Sequence, residues 1–436
     1  MSPGFSCFRR QKQFIVPFGF IATALTRQAA RVRTTIVSFM EFARKYWYAL
    51  LVNFLICLIT TIATTEISLK HQFPYLIDYP IFYYVSRMFF NPSEILLIYD
   101  TAYINATYHT MQFRYLPSFL LAWFPFTIPD LITSYYIFNF TCFVLNVVIM
   151  QLVVHIIEVH LHRPTTKASK LLLFIFSSAL FQVGTFLTGQ PVIIVAVLAL
   201  LSLKKFLEKR DVAGSLLLAM SIIIKPVLYF TVLFVLMSRK SSRSKLLYMG
   251  SIALPFLMDA MLFLNFPDLL RGFLNNNFSG GIERGFFSTS VANLFYSIFM
   301  ADPFLSFIIT TAVMAFLGCA VTVKIQDNTK QMVFCFLFGI IGFMVAQIQM
   351  WPITLLIFFP FMQLGMVACD FKHIYRQTGF LHVYSIIINL CIDNWILNDI
   401  AVWAPYVMVA NVIILCVLVV QVIDMFLSTR CLVSQR

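Results

Sequence analysis

Charge is scarce in this chain: 18 acidic and 31 basic residues make up 11% of 436 positions, while 60% are hydrophobic. That is too little charge to coat a water-soluble fold, so a soluble enzyme or binding module is excluded. No C-x-x-C pair occurs among the nine cysteines, Cys7, Cys57, Cys142, Cys319, Cys335, Cys369, Cys391, Cys416 and Cys431. They stand singly, mostly inside apolar runs, and read as small hydrophobes rather than metal or redox ligands. A Walker loop, a Rossmann fingerprint and an H-E-x-x-H helix are also missing, which argues against a nucleotide-driven pump and a zinc protease. His155, His160 and His162 fall close together, but a spacing of two does not put the last two on one helix face. Neither a metal nor a cofactor is expected.

What remains is apolar sequence in long runs. Only helices and closed barrels satisfy their backbone in lipid, and these runs do not alternate as barrel strands do, so the fold class is an all-α polytopic membrane protein. Apolar stretches at 46–65, 114–129, 131–157, 171–188, 191–206, 212–224, 226–237, 246–265, 291–300 with 303–323, 332–348, 351–369, 379–397 and 403–427 predict about eleven to thirteen transmembrane helices, several too short to cross alone. Residues 1–45 hold Arg9, Arg10, Lys12, Arg27, Arg31, Arg33, Arg44 and Lys45 against the lone acid Glu41, and the positive-inside rule makes this segment cytoplasmic. Its charges flank a span and have no folded domain to present them, so no nucleic-acid partner is expected. Residues 1–39 read as an upstream extension outside the fold, since Met40 opens a natural-looking start.

The runs are punctuated. Gly189, Gln190 and Pro191 separate two of them and Lys225-Pro226 separates two more; proline has no N–H and disfavours helix in the residue before it, so each marks a hairpin tip. The basic loops at 204–210 and 238–245 belong inside, which puts Lys225 on the far side with Asp78. Two long outer loops follow, 66–113 with an amphipathic stretch, and 266–290; loops of this length in a compact membrane protein are usually functional. Asn105 and Asn277 each begin an N-x-S/T sequon there. Two ordinary spans at 114–129 and 131–157 would leave the basic stretch 160–170 outside, against the charge rule, unless the first is re-entrant.

The series D-Y-P-I-F-Y-Y (78–84), I-Y-D (98–100), F-R-Y-L-P (113–117), G-Q-P (189–191) and I-K-P (224–226) resembles glycosyltransferase family 87 of the GT-C superfamily, over roughly residues 46–300. The resemblance implies an inverting transferase, mannosyltransferase-like, with a polyprenyl-phosphate sugar donor and a lipid-linked or surface glycan acceptor as partners besides membrane lipids. It implies a multi-pass protein of a prokaryotic plasma membrane, or of the endoplasmic reticulum in a eukaryote, with its site on the non-cytoplasmic face. It divides the chain into the basic segment 1–45, a catalytic module 46–300 and further helices 301–436. Asp78 stands where the family has its essential acid, and Tyr99, Asp100, Arg114, Tyr115, Pro117, Gln190 and Lys225 fall on its signature positions. The family's N-Q-S-like segment has no counterpart in 286–295, which leaves Ser288, Ser290 and Asn293 without an assigned role.

Chemistry supports the same residues. A sugar hydroxyl is a poor nucleophile and a lipid phosphate a good leaving group, so one carboxylate, Asp78, suffices as base. Lys225 interrupts an apolar run at a cost of roughly 2.5–3.5 kcal/mol and calls for an anion, and Arg114 offers a planar fork; both suit the donor phosphate. Asp100, Tyr115, Gln190 and Tyr83 are the candidate substrate contacts, the last through ring stacking. Each has a structural alternative: Asp78 as a helix cap, Lys225 and Arg114 as interfacial anchors, Tyr99 and Asp100 as turn residues, Gln190 as a hairpin tip. The rival class is a transporter or flippase of an amphipathic solute, for which interrupted helices would also serve, but no inverted repeat accompanies them.

Overall fold

A computed structural model of the protein describes residues 18–71, 78–110, 112–178, 180–279, 290–298, 302–347, 354–369 and 404–428. The chain divides into two units, Met1–Trp47 and Tyr48–Arg436. The first is helical over its described part, with non-helical backbone at Tyr46 (φ −121°, ψ 17°), where helix α1 (Phe18–His71) is kinked. Within it the rings of Phe42 and Tyr46 pack at 4.7 Å.

In the second unit, and among the described residues throughout, the regular structure is helical. In chain order come α2 (Tyr79–Phe89), α3 (Thr101–Tyr108), α4 (Pro117–Trp123), α5 (Leu131–His155), α6 (Lys167–Ser178), α7 (Leu180–Thr188), α8 (Val192–Leu207) and α9 (Asp211–Ile224). They are followed by α10 (Tyr229–Ser238), α11 (Ser242–Ala253), α12 (Leu257–Asn265), α13 (Pro267–Leu274), α14 (Val291–Ile298), α15 (Pro303–Thr322), α16 (Asn328–Ala346), α17 (Leu355–Ala368) and α18 (Ala404–Ser428). Among the described residues six helical stretches are long and apolar enough to cross a membrane: Met40–Ile67, Leu131–His160, Ser169–Thr188, Ser242–Asn265, Pro303–Thr322 and Asn328–Ala346. Shorter apolar helices cover Asp211–Ile224, Pro226–Ser238, Leu355–Ala368 and Leu415–Leu427. The protein is thus a polytopic helical membrane protein; the expected span at 379–397 lies outside the described residues.

Three spans begin on an aspartate. Asp130 accepts from the N–H groups of Ile132 and Thr133, Asp302 from that of Leu305, and Asp327 from those of Thr329 and Lys330, each satisfying donors that the first helical turn leaves open. These acids fix the levels at which α5, α15 and α16 leave the polar boundary.

The expected span at 114–129 is corrected. Those residues form the short α4 and a 3-10 turn, Phe124–Thr127, neither of which crosses. Pro117, Pro125 and Pro129 break the run, although its residues are apolar enough to suggest a span. One crossing at 131–160 therefore puts 160–170 on the opposite side from 78–128, and the charge conflict disappears. The next span, Ser169–Thr188, returns the chain to Gln190. Antiparallel α8 and α9 then hold Gln190 and Lys225 at one end and the basic turn 204–210 at the other, with Ser202 Oγ donating to Gly214 O at 2.7 Å.

Inside the bundle, polar side chains tie the helices together. Asn146 donates to Gln182 at 2.8 Å and to Asn53 at 3.2 Å, Asn53 to Ser177 O at 3.0 Å, and Asn139 to Thr61 at 2.9 Å and Phe186 O at 3.0 Å. Such bonds are worth on the order of 0.6–1.7 kcal/mol each in a bilayer, where packing and polar contacts replace the hydrophobic effect. They lock α6 and α7 to α5 and so set the height of the Gly189–Gln190 tip. α16 is nearly all buried, and a Cβ on its Gly339 would strike the Thr231 hydroxyl of α10.

Candidate active site

Asp78 occupies the N-cap position of α2, with Pro80 in the first turn, but its side chain makes no capping bond. The carboxylate turns instead to Gln190, whose Nε2 donates to Asp78 Oδ2 at 2.6 Å. Gln190 Oε1 accepts in turn from Lys225 Nζ at 2.7 Å. One buried amide thus joins the acid to the base, its donor end facing the carboxylate and its acceptor end the ammonium.

Local sequence builds each arm. Gly189 has φ +67°, and a Cβ there would lie 2.7 Å from Tyr79 Cβ, so only glycine allows the tip to press against the start of α2. Tyr79 is fully buried, bonded through its hydroxyl to Ser134 and packed on Tyr135 and Phe138 at 5.3 Å. Lys225 is extended (φ −157°, ψ 127°), as the following proline requires, and its side chain leaves the break between α9 and α10.

Burial pushes the Asp78 carboxyl above its ordinary range, while the Gln190 hydrogen bond, Lys225 and Arg114 pull it back. Burial lowers the ammonium of Lys225, at the tip outside the spans, and the Asp78 charge raises it. Burial also raises the Tyr115 hydroxyl, and Asp78 adds to that shift while Arg114 opposes it, so Tyr115 and Arg114 both lie within electrostatic reach of the carboxylate. Among the described residues no group of three His, Cys, Asp or Glu could hold a metal ion.

Of the expected site residues, then, Asp78, Gln190 and Lys225 meet directly and Arg114 and Tyr115 stand beside them. Tyr83 is buried, and its hydroxyl donates to Pro129 O at 2.8 Å and accepts from Arg87 at 3.4 Å. Asp100 caps α3, accepting from Tyr103 N at 3.0 Å. The Tyr99 hydroxyl donates to Tyr115 O at 2.6 Å. Ser290 accepts from Asn293 N at 3.0 Å at the start of α14, and Ser288 lies outside the described residues.

The sequence reading missed a second buried acid, Asp259, which accepts from Ser118 N at 2.7 Å and Ser118 Oγ at 2.5 Å. It also missed Asn276, whose Nδ2 donates to Tyr99 O at 3.0 Å and Phe113 O at 3.1 Å. A signal existed for the first, since an acid inside an apolar run is costly enough to imply a partner.

The profile of glycosyltransferase family 87 matches residues 113–347, more than half of the chain. The match takes in Arg114, Tyr115, Gln190 and Lys225; it starts after Asp78, Tyr83 and Asp100, and it runs past the end of the resemblance read from the motifs. No curated protein and no solved structure matches the chain. With a polytopic helical bundle and a half-buried acid–amide–base cluster at one end of it, the chain belongs to glycosyltransferase family 87, a family of membrane glycosyltransferases.

Proposed function

We propose that the protein is an inverting hexosyltransferase that moves a sugar, mannose, from a polyprenyl phosphate to a lipid-linked or surface glycan. The observation that carries this reading is the Asp78–Gln190–Lys225 cluster; its place at the end of the α8–α9 hairpin opposite the basic turn 204–210 supports a site on the non-cytoplasmic face. The GT-C assignment, the mannosyl unit and the lipid donor rest on the resemblance of the D-Y-P to K-P series. So does a catalytic module that begins near residue 46, continued by further spans beyond residue 300.

Asp78 takes the proton of the acceptor hydroxyl as its oxygen attacks C1 of the sugar from the face opposite the phosphate. The C1–O bond breaks, its electron pair passes to the phosphate oxygen, and the configuration at C1 inverts. Lys225 keeps ammonium protons beyond the one given to Gln190, and with the Arg114 fork it meets the charge that grows on the departing phosphate. Tyr115 lines the same space for the sugar.

The test is transfer of labelled mannose from a synthetic polyprenyl-phosphate mannose in membranes carrying wild type or Asp78→Asn. Loss of the general base is expected to lower turnover by about 10²–10⁴-fold with donor binding retained. An Asp78→Asn protein that still turns over rejects the base; transfer from a nucleotide sugar in place of the lipid donor rejects the donor class.

A further inference from the structure

The segment 113–116 carries Arg114 and Tyr115 and belongs to neither helix nor sheet, so its backbone groups need partners from elsewhere. They find them in Tyr99 and in one remote part of the chain that holds Asn276 and Asn277. Phe113 O accepts from Asn276 Nδ2 at 3.1 Å, and Arg114 O accepts from Asn277 Nδ2 at 3.1 Å. Tyr115 O accepts from the Tyr99 hydroxyl at 2.6 Å, and the carbonyl of Tyr99 is itself held by Asn276. Ser118 N, at the open end of α4, donates to Asp259, which also takes the serine hydroxyl. Asp259 is 3% exposed inside the span Ser242–Asn265, and Asn276 is 2% exposed in the π-helical turn Asn275–Ser279 that continues α13.

We propose that Asp259, Asn276 and Asn277 are positioning residues that set where Arg114 stands for the donor phosphate. This rests on the transferase reading of the Asp78 cluster. Asp259 is the only other carboxylate tied into this neighbourhood among the described residues, and its two oxygens are both engaged by Ser118. Its role is therefore to hold backbone rather than to take the acceptor proton. Asn277 opens the sequon N-F-S, but its amide also donates to Phe273 O at 2.9 Å, so in the folded protein it serves the frame.

The test compares wild type, Asp259→Asn, Asp259→Ala, Ser118→Ala and Asn276→Ala in reconstituted membranes, with donor and acceptor KM measured separately. Asn at 259 still accepts from Ser118 N and can donate to Ser118 Oγ, so it is expected to keep most activity. Asp259→Ala and Asn276→Ala are expected to raise the donor KM, up to about 100-fold for a displacement near 1 Å, and to leave the acceptor KM in place. Ser118→Ala, which keeps the backbone bond, has the smaller effect. An Asp259→Asn protein as inactive as Asp78→Asn overturns the proposal, because Asp259 would then be a catalytic acid or base; so does a uniform fall in kcat with the donor KM unmoved.

A readout without sugar transfer keeps the two readings apart. In an Arg114→Cys background, Asp259→Ala and Asn276→Ala are expected to speed thiol labelling at position 114. If labelling responds while the wild type moves no sugar from any donor, the transferase reading fails and the frame stands. If labelling is unmoved, the frame fails whatever the activity.

Discussion

Both ends of the α8–α9 hairpin bring acids and bases together, and they do so differently. At the basic end the charges meet directly: Lys205 Nζ lies 2.7 Å from Glu208, and Arg239 Nη2 lies 3.1 Å from Asp211. At the other end an amide stands between Asp78 and Lys225. A direct pair neutralises itself and contributes to stability at best. An insulated pair keeps its acid oriented and its ammonium unneutralised, which in the proposed reaction leaves the one to an incoming hydroxyl and the other to a phosphate. Under the proposed transferase reading, the difference separates charges that hold the fold from charges that wait for substrate.

The largest effect that would break this contrast is at Gln190. Gln190→Leu removes both hydrogen bonds and is expected to lower turnover by about 100-fold. In wild type, kcat/KM should rise only above the ordinary carboxylate range, where the buried Asp78 ionises, and fall where Lys225 deprotonates, below the ordinary lysine range. The Gln190 bond favours the carboxylate anion, so its loss raises the Asp78 pKa and moves the acid limb to higher pH. A pH profile of the leucine variant with an unmoved acid limb would mean that the amide does not tune the base.

At the basic end the expected effects are on stability alone. Arg239→Met strands the half-buried Asp211 and is expected to lower stability by about 1–3 kcal/mol, read as a melting shift in lipid nanodiscs, with turnover per folded molecule unchanged. Smallest is Glu208→Ala, which removes partly solvated pairs with Lys204, Lys205 and Arg210 for about 1 kcal/mol or less. A loss of turnover in either variant, beyond the loss of folded protein, would erase the distinction between the two ends.

Sequence carried some parts of this structure further than others. Helical class and the grouping of Asp78, Gln190 and Lys225 were legible because prolines and glycines mark the breaks from which these side chains emerge. The contacts of Gln190 were not, since its span of both partners is a matter of tertiary distance; the sequence offers it as a substrate contact or a hairpin tip. The stretch 114–129 misled through hydropathy, which counts apolar atoms and ignores that Pro125 interrupts the helix. Asp100 reads as either a substrate contact or a turn residue, and its carboxylate caps α3. The frame of Asp259, Asn276 and Asn277 lies some 140 to 180 residues from the backbone it holds, beyond any local pattern.

An amide is planar, with one donor end and one acceptor end, and the orientation of Gln190 is dictated by the charges on either side of it. An ionised Glu would present oxygen to the carboxylate, and Lys would present protons to the ammonium. Positions 78, 190 and 225 therefore form a single unit of change. A substitution at any of them changes the surroundings of the other two, so their effects are expected not to add.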